Sequence, residues 1–147
     1  MPALPLADIP GFRRLEPTLA SAGQPEPADW PRLVAAGFRG VLNLRPGTEQ
    51  PGFDEAEAVA ALGMVYAALP VATSADLTPA LVARFDELLQ RLPSPCLVHC
   101  ASGNRVGALF ALREAWLRGA GVEAAVEKGR QAGLSGLEAP VRALLSR

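Results

Sequence analysis

The residues with the greatest chemical potential stand together in "PCLVHCASGNRVGALFALREAW", residues 95–116. An apolar run ends in His99 and Cys100, a short polar loop follows, and Arg105 opens an apolar helical stretch. A thiol at a strand-to-helix junction meets helix amides that lack internal acceptors and carry partial positive charge, which favours an anion. Ser102 and Gly103 let the backbone curl, so that several N–H groups of the loop Ala101, Ser102, Gly103 and Asn104 can point inward toward an anion. Arg105 adds a planar, two-pronged contact to an oxyanion. The same field favours the thiolate of Cys100. The pattern is a nucleophile inside an anion cradle, with Cys100 and Arg105 as the catalytic pair. His99 falls on the opposite strand face, where it is expected to support the loop by bonding its carbonyls rather than to act as a base.

The elements that must position this loop are legible along the chain. Residues 1–11 are rich in proline and read as an irregular arm. "FRRLEPTLASAG" holds two short strands around Pro17. "PEPADWPRLVAAGF" reads as a helix stopped at Gly37, and "RGVLNLR" as a short buried strand. "FDEAEAVAALG" is a helix with acids in its first turn, where Asp54, Glu55 and Glu57 are expected to be solvated. "MVYAALPV" is a strand and "ATSAD" a loop. "LTPALVARFDELLQRL" is an amphipathic helix with Thr78 as N-cap and Pro79 at its first position. "PCLVHC" is a strand, followed by a helix over about 105–117 and two more helices, "VEAAVEKGRQAG" and "APVRALLSR". Alternating strands and helices predict a three-layer α/β domain, with a short, mostly parallel sheet between helices. In such sheets ligands bind beyond the carboxyl ends of strands, which is where the loops after Leu44, Val71 and His99 fall.

Bulk properties narrow the class. The chain has 147 residues, half of them hydrophobic, which fits one domain over 1–147 with one core. Fourteen basic and fifteen acidic residues give a net charge of −1, so neither a nucleic-acid nor a membrane partner is expected. Two cysteines, no signal-peptide pattern and no membrane-length apolar run point to the cytoplasm. No cofactor is expected. Cys96, His99 and Cys100 cannot converge on a metal from one strand, and no further Cys or His completes a tetrahedron, so no metal site is expected either. Cys96 reads as a core residue.

"HCASGNRVG" resembles the signature of the cysteine-dependent phosphatases: His-Cys, a glycine three residues after the cysteine, then an arginine at a helix start. "AGQP" (22–25), "GFRGVLNLRP" (37–46), "ALPV" (68–71) and "LVHCASGNR" (97–105) are similar to a bacterial branch, the beta-lactamase hydrolase-like phosphatase-like domain. The resemblance spans roughly residues 19 to 117. It implies a dual-specificity-phosphatase-like fold, Cys100 as nucleophile, Arg105 as oxyanion clamp and the backbone of 101–104 as cradle. It also implies two-step hydrolysis of a phosphorylated small molecule or protein. Gln24, Asn43 and Arg45 fall at element ends and are candidate pocket residues; turn hydrogen bonding by Gln24 and Asn43 and a surface Arg45 are equally open.

The chain departs from that pattern in three places. Four residues, not five, separate Cys100 from Arg105. Val106 stands where these phosphatases carry a hydroxyl. The first carboxylate after "ALPV" is Asp76, a candidate general acid that could equally cap the helix after it. The four-residue gap is shared with rhodanese-type sulfurtransferases. A second reading is therefore sulfur transfer from a sulfane-sulfur donor through a Cys100 persulfide, which needs no acid. A third is a non-catalytic module that binds an oxyanion or senses an oxidant.

Overall fold

A computed structural model describes residues 6–49 and 52–147. Five strands form one sheet: β1 (Arg13–Glu16), β2 (Leu19–Ala22), β3 (Gly40–Asn43), β4 (Val65–Ala68) and β5 (Cys96–His99). Their spatial order is β1-β2-β5-β3-β4; β1 pairs antiparallel with β2, and every other pairing is parallel. Six helices are threaded between and after them: α1 (Asp29–Ala35), α2 (Glu55–Ala61), α3 (Pro79–Arg91), α4 (Asn104–Arg118), α5 (Val122–Gln131) and α6 (Glu138–Leu145).

Strand β5 lies at the centre, and all four of its residues are buried. A strand covered on both faces must be apolar throughout, which is why "CLV" lacks polar alternation. One core joins Val98 and Cys100 to α3, α4, α5 and α6 through Phe85, Phe110, Val126 and Val141. The other joins Leu97 to α1 and α2 through Trp30, Leu33 and Val59. The layers are thus those expected. Helix α4 runs through the larger core, with Val106 to Arg113 all buried. Thr78 caps α3 by accepting from the Leu81 amide at 3.2 Å, with Pro79 in the first turn.

Three expectations need correction. The N-terminal arm is not wholly irregular: Leu6–Asp8 form a 3-10 turn, and Ile9 is inserted into the α1–α2 core at 1% exposure. Residues 1–5 of that arm lie outside the described residues. The loop "ATSAD" contains a 3-10 turn at Ser74–Asp76. Glu55, expected in solvent, is 5% exposed. It shares the inward face of α2 with Val59, four residues on.

Candidate active site

Parallel pairing brings the carboxyl ends of β5, β3 and β4 to one edge, where the sequence placed the reactive loop. Asn43 pairs with His99 across β3 and β5, and Ala22 pairs with His99 across β2 and β5. Beyond them the chain turns through Cys100–Gly103 into α4.

The turn depends on Gly103, whose φ of +97° lies in the left-handed region where a Cβ is disfavoured. In this conformation the Gly103 amide donates to Cys100 Sγ at 3.0 Å. Among the described residues, the amides of Ala101, Ser102, Asn104, Arg105 and Val106 donate to no protein acceptor. A run of amides without acceptors beside the cysteine is an arrangement that could take an oxyanion. Its outer wall, Ala101 and Ser102, is exposed, whereas Cys100 is fully buried. An incoming group therefore reaches Sγ only as neighbouring groups shift.

Backbone from elsewhere braces the loop. The Gln24 amide donates to the Ala101 carbonyl at 3.0 Å, and the Cys100 amide to the Ala22 carbonyl at 3.3 Å. Gly23 packs so closely that a Cβ there would lie 2.8 Å from the Ala101 oxygen and 3.2 Å from Ser102 Cα. The Asn104 side chain turns outward, and its Oδ1 accepts from the amides of Ser135 and Leu137 at 2.9 and 3.1 Å. It ties the start of α4 to the α5–α6 connection.

Arg105 is held by two anchors. Its Nη1 donates to Glu49 Oε2 at 2.9 Å and to the Val71 carbonyl at 2.8 Å, and its Nη2 donates to Glu49 Oε1 at 2.8 Å. Glu49 therefore occupies the terminal edge of the guanidinium and leaves Nε with one Nη2 hydrogen for another oxyanion. The Glu49 hydrogen bonds strengthen the protonated form of Arg105, against burial, with the nearby Cys100 adding in the same direction. Reciprocally, Arg105 holds the Glu49 carboxyl below its ordinary range. Glu49 had no signal in the sequence: "PGTEQPG" reads only as a loop, and the contact spans 56 residues.

On the opposite face of β5 lies a buried polar cluster. His99 is fully buried; its Nδ1 is 3.2 Å from the Cys100 carbonyl and its Nε2 is 2.6 Å from Glu55 Oε2. Glu55 also accepts from Gln24 Nε2 at 2.6 Å and from the Tyr66 hydroxyl at 3.1 Å. Burial alone would raise the Glu55 carboxyl, but the His99 contact with the Gln24 and Tyr66 donors leaves it below its ordinary range. Burial pushes the Tyr66 phenol up to about 12. Gln24, Asn43 and Arg45, the candidate pocket residues, all belong to this cluster: Arg45 donates to Gln24 Oε1 at 2.7 Å, and Asn43 donates to Tyr66 at 2.8 Å. Next to it opens a cleft of about 580 Å³ lined by Arg45, Glu49, Phe53, Asp54, Glu55 and Tyr66, among others. Sequence reasoning missed Glu55, although its place four residues before the apolar Val59 was a usable sign of an inward-facing acid.

Asp76 is committed elsewhere. Its Oδ2 accepts from the amides of Ala72 and Thr73 at 2.8 and 3.2 Å, and with Thr73 it forms a capping box on the 3-10 turn. Cys96 is buried among apolar groups, which pushes its thiol up to about 12 and leaves it inert at neutral pH. Among the described residues, no group of three or more His, Cys, Asp or Glu side chains could hold a metal ion. No helix there is long and apolar enough to cross a membrane.

The site thus combines a buried cysteine, loop amides without a protein acceptor, an arginine at the following helix start and a mostly parallel sheet. The chain belongs to the family of the beta-lactamase hydrolase-like protein, phosphatase-like domain, whose model matches residues 11–117. A beta-lactamase hydrolase-like protein of Agrobacterium fabrum is 37% identical over 106 residues, covering 69% of this chain and 24% of that protein. The chain thus spans about a quarter of the length of the curated relatives it matches. Among solved structures, a candidate phosphatase of Neisseria meningitidis superposes with a TM-score of 0.77 at 24% identity, over 92% of this chain and 96% of that one. P. aeruginosa TpbA in complex with phosphotyrosine superposes with a TM-score of 0.65 at 19% identity, over 99% of this chain and 95% of that one.

Proposed function

We propose that this domain hydrolyses phosphomonoesters through a cysteinyl-phosphate on Cys100. The observation that carries the reading is the Gly103 amide 3.0 Å from Cys100 Sγ, amid loop amides that have no other acceptor. In the first step the thiolate attacks phosphorus, an S–P bond forms, and the P–O bond to the leaving group breaks. The loop amides and the free edge of Arg105 stabilise the equatorial oxygens as charge develops on them. Water then cleaves the S–P bond, releasing inorganic phosphate and restoring the thiolate. With Asp76 capping its own turn, substrates whose leaving group departs as a stable anion are favoured, which points to aryl rather than alkyl esters. General acid help is worth about 10²–10⁴-fold, so the preference should be steep.

A second reading is sulfur transfer, favoured by the four-residue gap, by the buried Val106 and by the engaged Asp76. Here the thiolate attacks the outer sulfur of thiosulfate, the S–S bond breaks, sulfite leaves and Cys100 becomes a persulfide. Cyanide then removes that sulfur as thiocyanate. One experiment separates the readings: turnover of an aryl phosphate and of thiosulfate with cyanide, each by wild type and Cys100→Ser. Phosphate release lost in the variant supports hydrolysis. Thiocyanate alone supports sulfur transfer. Oxyanion binding with neither turnover leaves the binding module and refutes both enzymes.

A further inference from the structure

The connection between α5 and α6, residues 132–137, is bound to the start of α4 by one side chain. Asn104 Oδ1 accepts from the amides of Ser135 and Leu137 at 2.9 and 3.1 Å. Both partners are backbone N–H groups, so the oxygen and not the nitrogen of the Asn104 side chain must face them. Among the described residues, neither amide has a backbone acceptor that would replace it. These contacts come from beyond residue 117, where the segment matched by the family's model ends.

The same connection also touches the loop backbone directly. At Gly133, where φ is +115°, an added Cβ would lie 2.7 Å from the Gly103 carbonyl oxygen. At Gly107, in the first turn of α4, it would meet the Leu134 backbone and lie 2.6 Å from the Gly129 oxygen. Main chain packed on main chain leaves no side chain to absorb a shift. Gly103 is the residue that turns the chain, and its amide donates to Cys100 Sγ at 3.0 Å, so a displaced connection displaces the loop. Ion pairs join α5 to α6 as well: Arg130 Nε donates to Glu138 Oε1 at 2.7 Å, and Arg142 pairs with Glu123. Such surface pairs contribute little. The Asn104 bonds and the glycine contacts therefore dominate the docking.

We infer that Asn104 is a positioning residue, and that through it the α5–α6 connection sets the curvature of the oxyanion loop. This rests on the reading that residues 100–105 bind an oxyanion, and it serves phosphoryl and sulfur transfer alike. The backbone of Asn104 belongs to the loop, while its side chain belongs to the docking contact, so one residue passes the position of the connection to the amides beside it.

Titration of the full chain with inorganic phosphate, followed by amide NMR, tests this from both sides of the contact. Asn104→Ala removes the acceptor and should weaken phosphate about tenfold, the scale of a sub-ångström misplacement. Asn104→Asp keeps an acceptor for both amides but adds a negative charge beside the loop. Relative to wild type at the same salt, the aspartate deficit should shrink as salt rises, because that charge is screened, and the alanine deficit should persist. Wild-type phosphate affinity in Asn104→Ala, or a deficit there that salt erases, overturns the inference. The second pair acts on the connection. Leu137 has a φ of −87°, close to the range of proline. Leu137→Pro removes the amide donor, whereas Leu137→Ala removes the same side chain and keeps the donor. The proline variant should shift the Ala101 and Ser102 amide signals well beyond the alanine variant; equal shifts in the two overturn the inference. If Leu137→Pro does not fold, the Asn104 pair decides. If wild type binds no phosphate, the proposed function loses its anion site, and the Leu137 pair still decides whether the connection shapes the loop.

Discussion

Replacing Gly23 by alanine tests whether the nucleophile loop is shaped by the backbone packed behind it. The added Cβ would lie 2.8 Å from the Ala101 oxygen, 3.1 Å from the Pro10 oxygen and 3.2 Å from Ser102 Cα, all of them main-chain atoms that no rotamer change can move. An ordinary contact begins at 3.4 Å, so the loop or β2 must give by 3.4 − 2.8, about 0.6 Å. The Gln24 amide bond to that same Ala101 oxygen is strained by the same movement. Overpacking costs about 1–3 kcal/mol. Alanine returns about 0.4–1 kcal/mol by restricting the unfolded chain, because φ at Gly23 is not left-handed. The net loss is about 1–2 kcal/mol, or a Tm lower by about 2–8 °C for a chain of this size. The catalytic effect should be larger in relative terms. A 1 Å misplacement costs about 10²-fold, so a shift of this size should cost about tenfold or more. The assay is thermal unfolding alongside aryl phosphate turnover and oxyanion protection of Cys100 from alkylation. Gly121→Ala is the control, with nothing within 4 Å of its added Cβ and an ordinary φ. Wild-type turnover and protection in Gly23→Ala would refute the claim that this packing sets the loop.

Other expected outcomes follow from the same geometry. Glu49→Ala should lower turnover about 10–100-fold, since only the Val71 carbonyl then orients Arg105; faster turnover would mean that Glu49 plugs the clamp rather than aligning it. Asp76→Ala should cost about 1 kcal/mol of stability, as loss of a cap does, and change aryl phosphate turnover less than tenfold; a fall of about 10²-fold or more would make its carboxyl the general acid. Glu49 and Glu55 both titrate below the ordinary carboxyl value of 4.5 when folded, so the unfolded chain binds their protons first. Their contribution to stability is complete above that value and is lost as pH falls through the lower folded values. Denaturant midpoints measured from neutral pH down should show this acid limb, and Glu55→Gln should flatten it; an unchanged limb would argue that Glu55 is not ionised in the folded protein.

The local sequence determined much of this protein. Each strand and helix follows from short-range patterns: the unbroken "CLV" of a strand covered on both faces, Thr78-Pro79 at a helix start, Gly103 where only a left-handed residue turns the chain. The proposed nucleophile, clamp and cradle lie within six consecutive residues, 100–105, so one loop was enough to suggest them. Alternation of strand and helix also placed that loop at the carboxyl edge of the sheet. Tertiary structure decided which carboxylates matter. Asp76, suggested as an acid by its position after β4, instead accepts through Oδ2 from the amides of Ala72 and Thr73. Glu49 and Glu55 reach the site from 56 and 44 residues away, and no local pattern encodes pairings at that range. Each meets a polar group that folding buries beside it: Arg105 pairs with a carboxylate in a loop without periodicity, and His99 with one on the inward face of a helix whose acids all looked solvated.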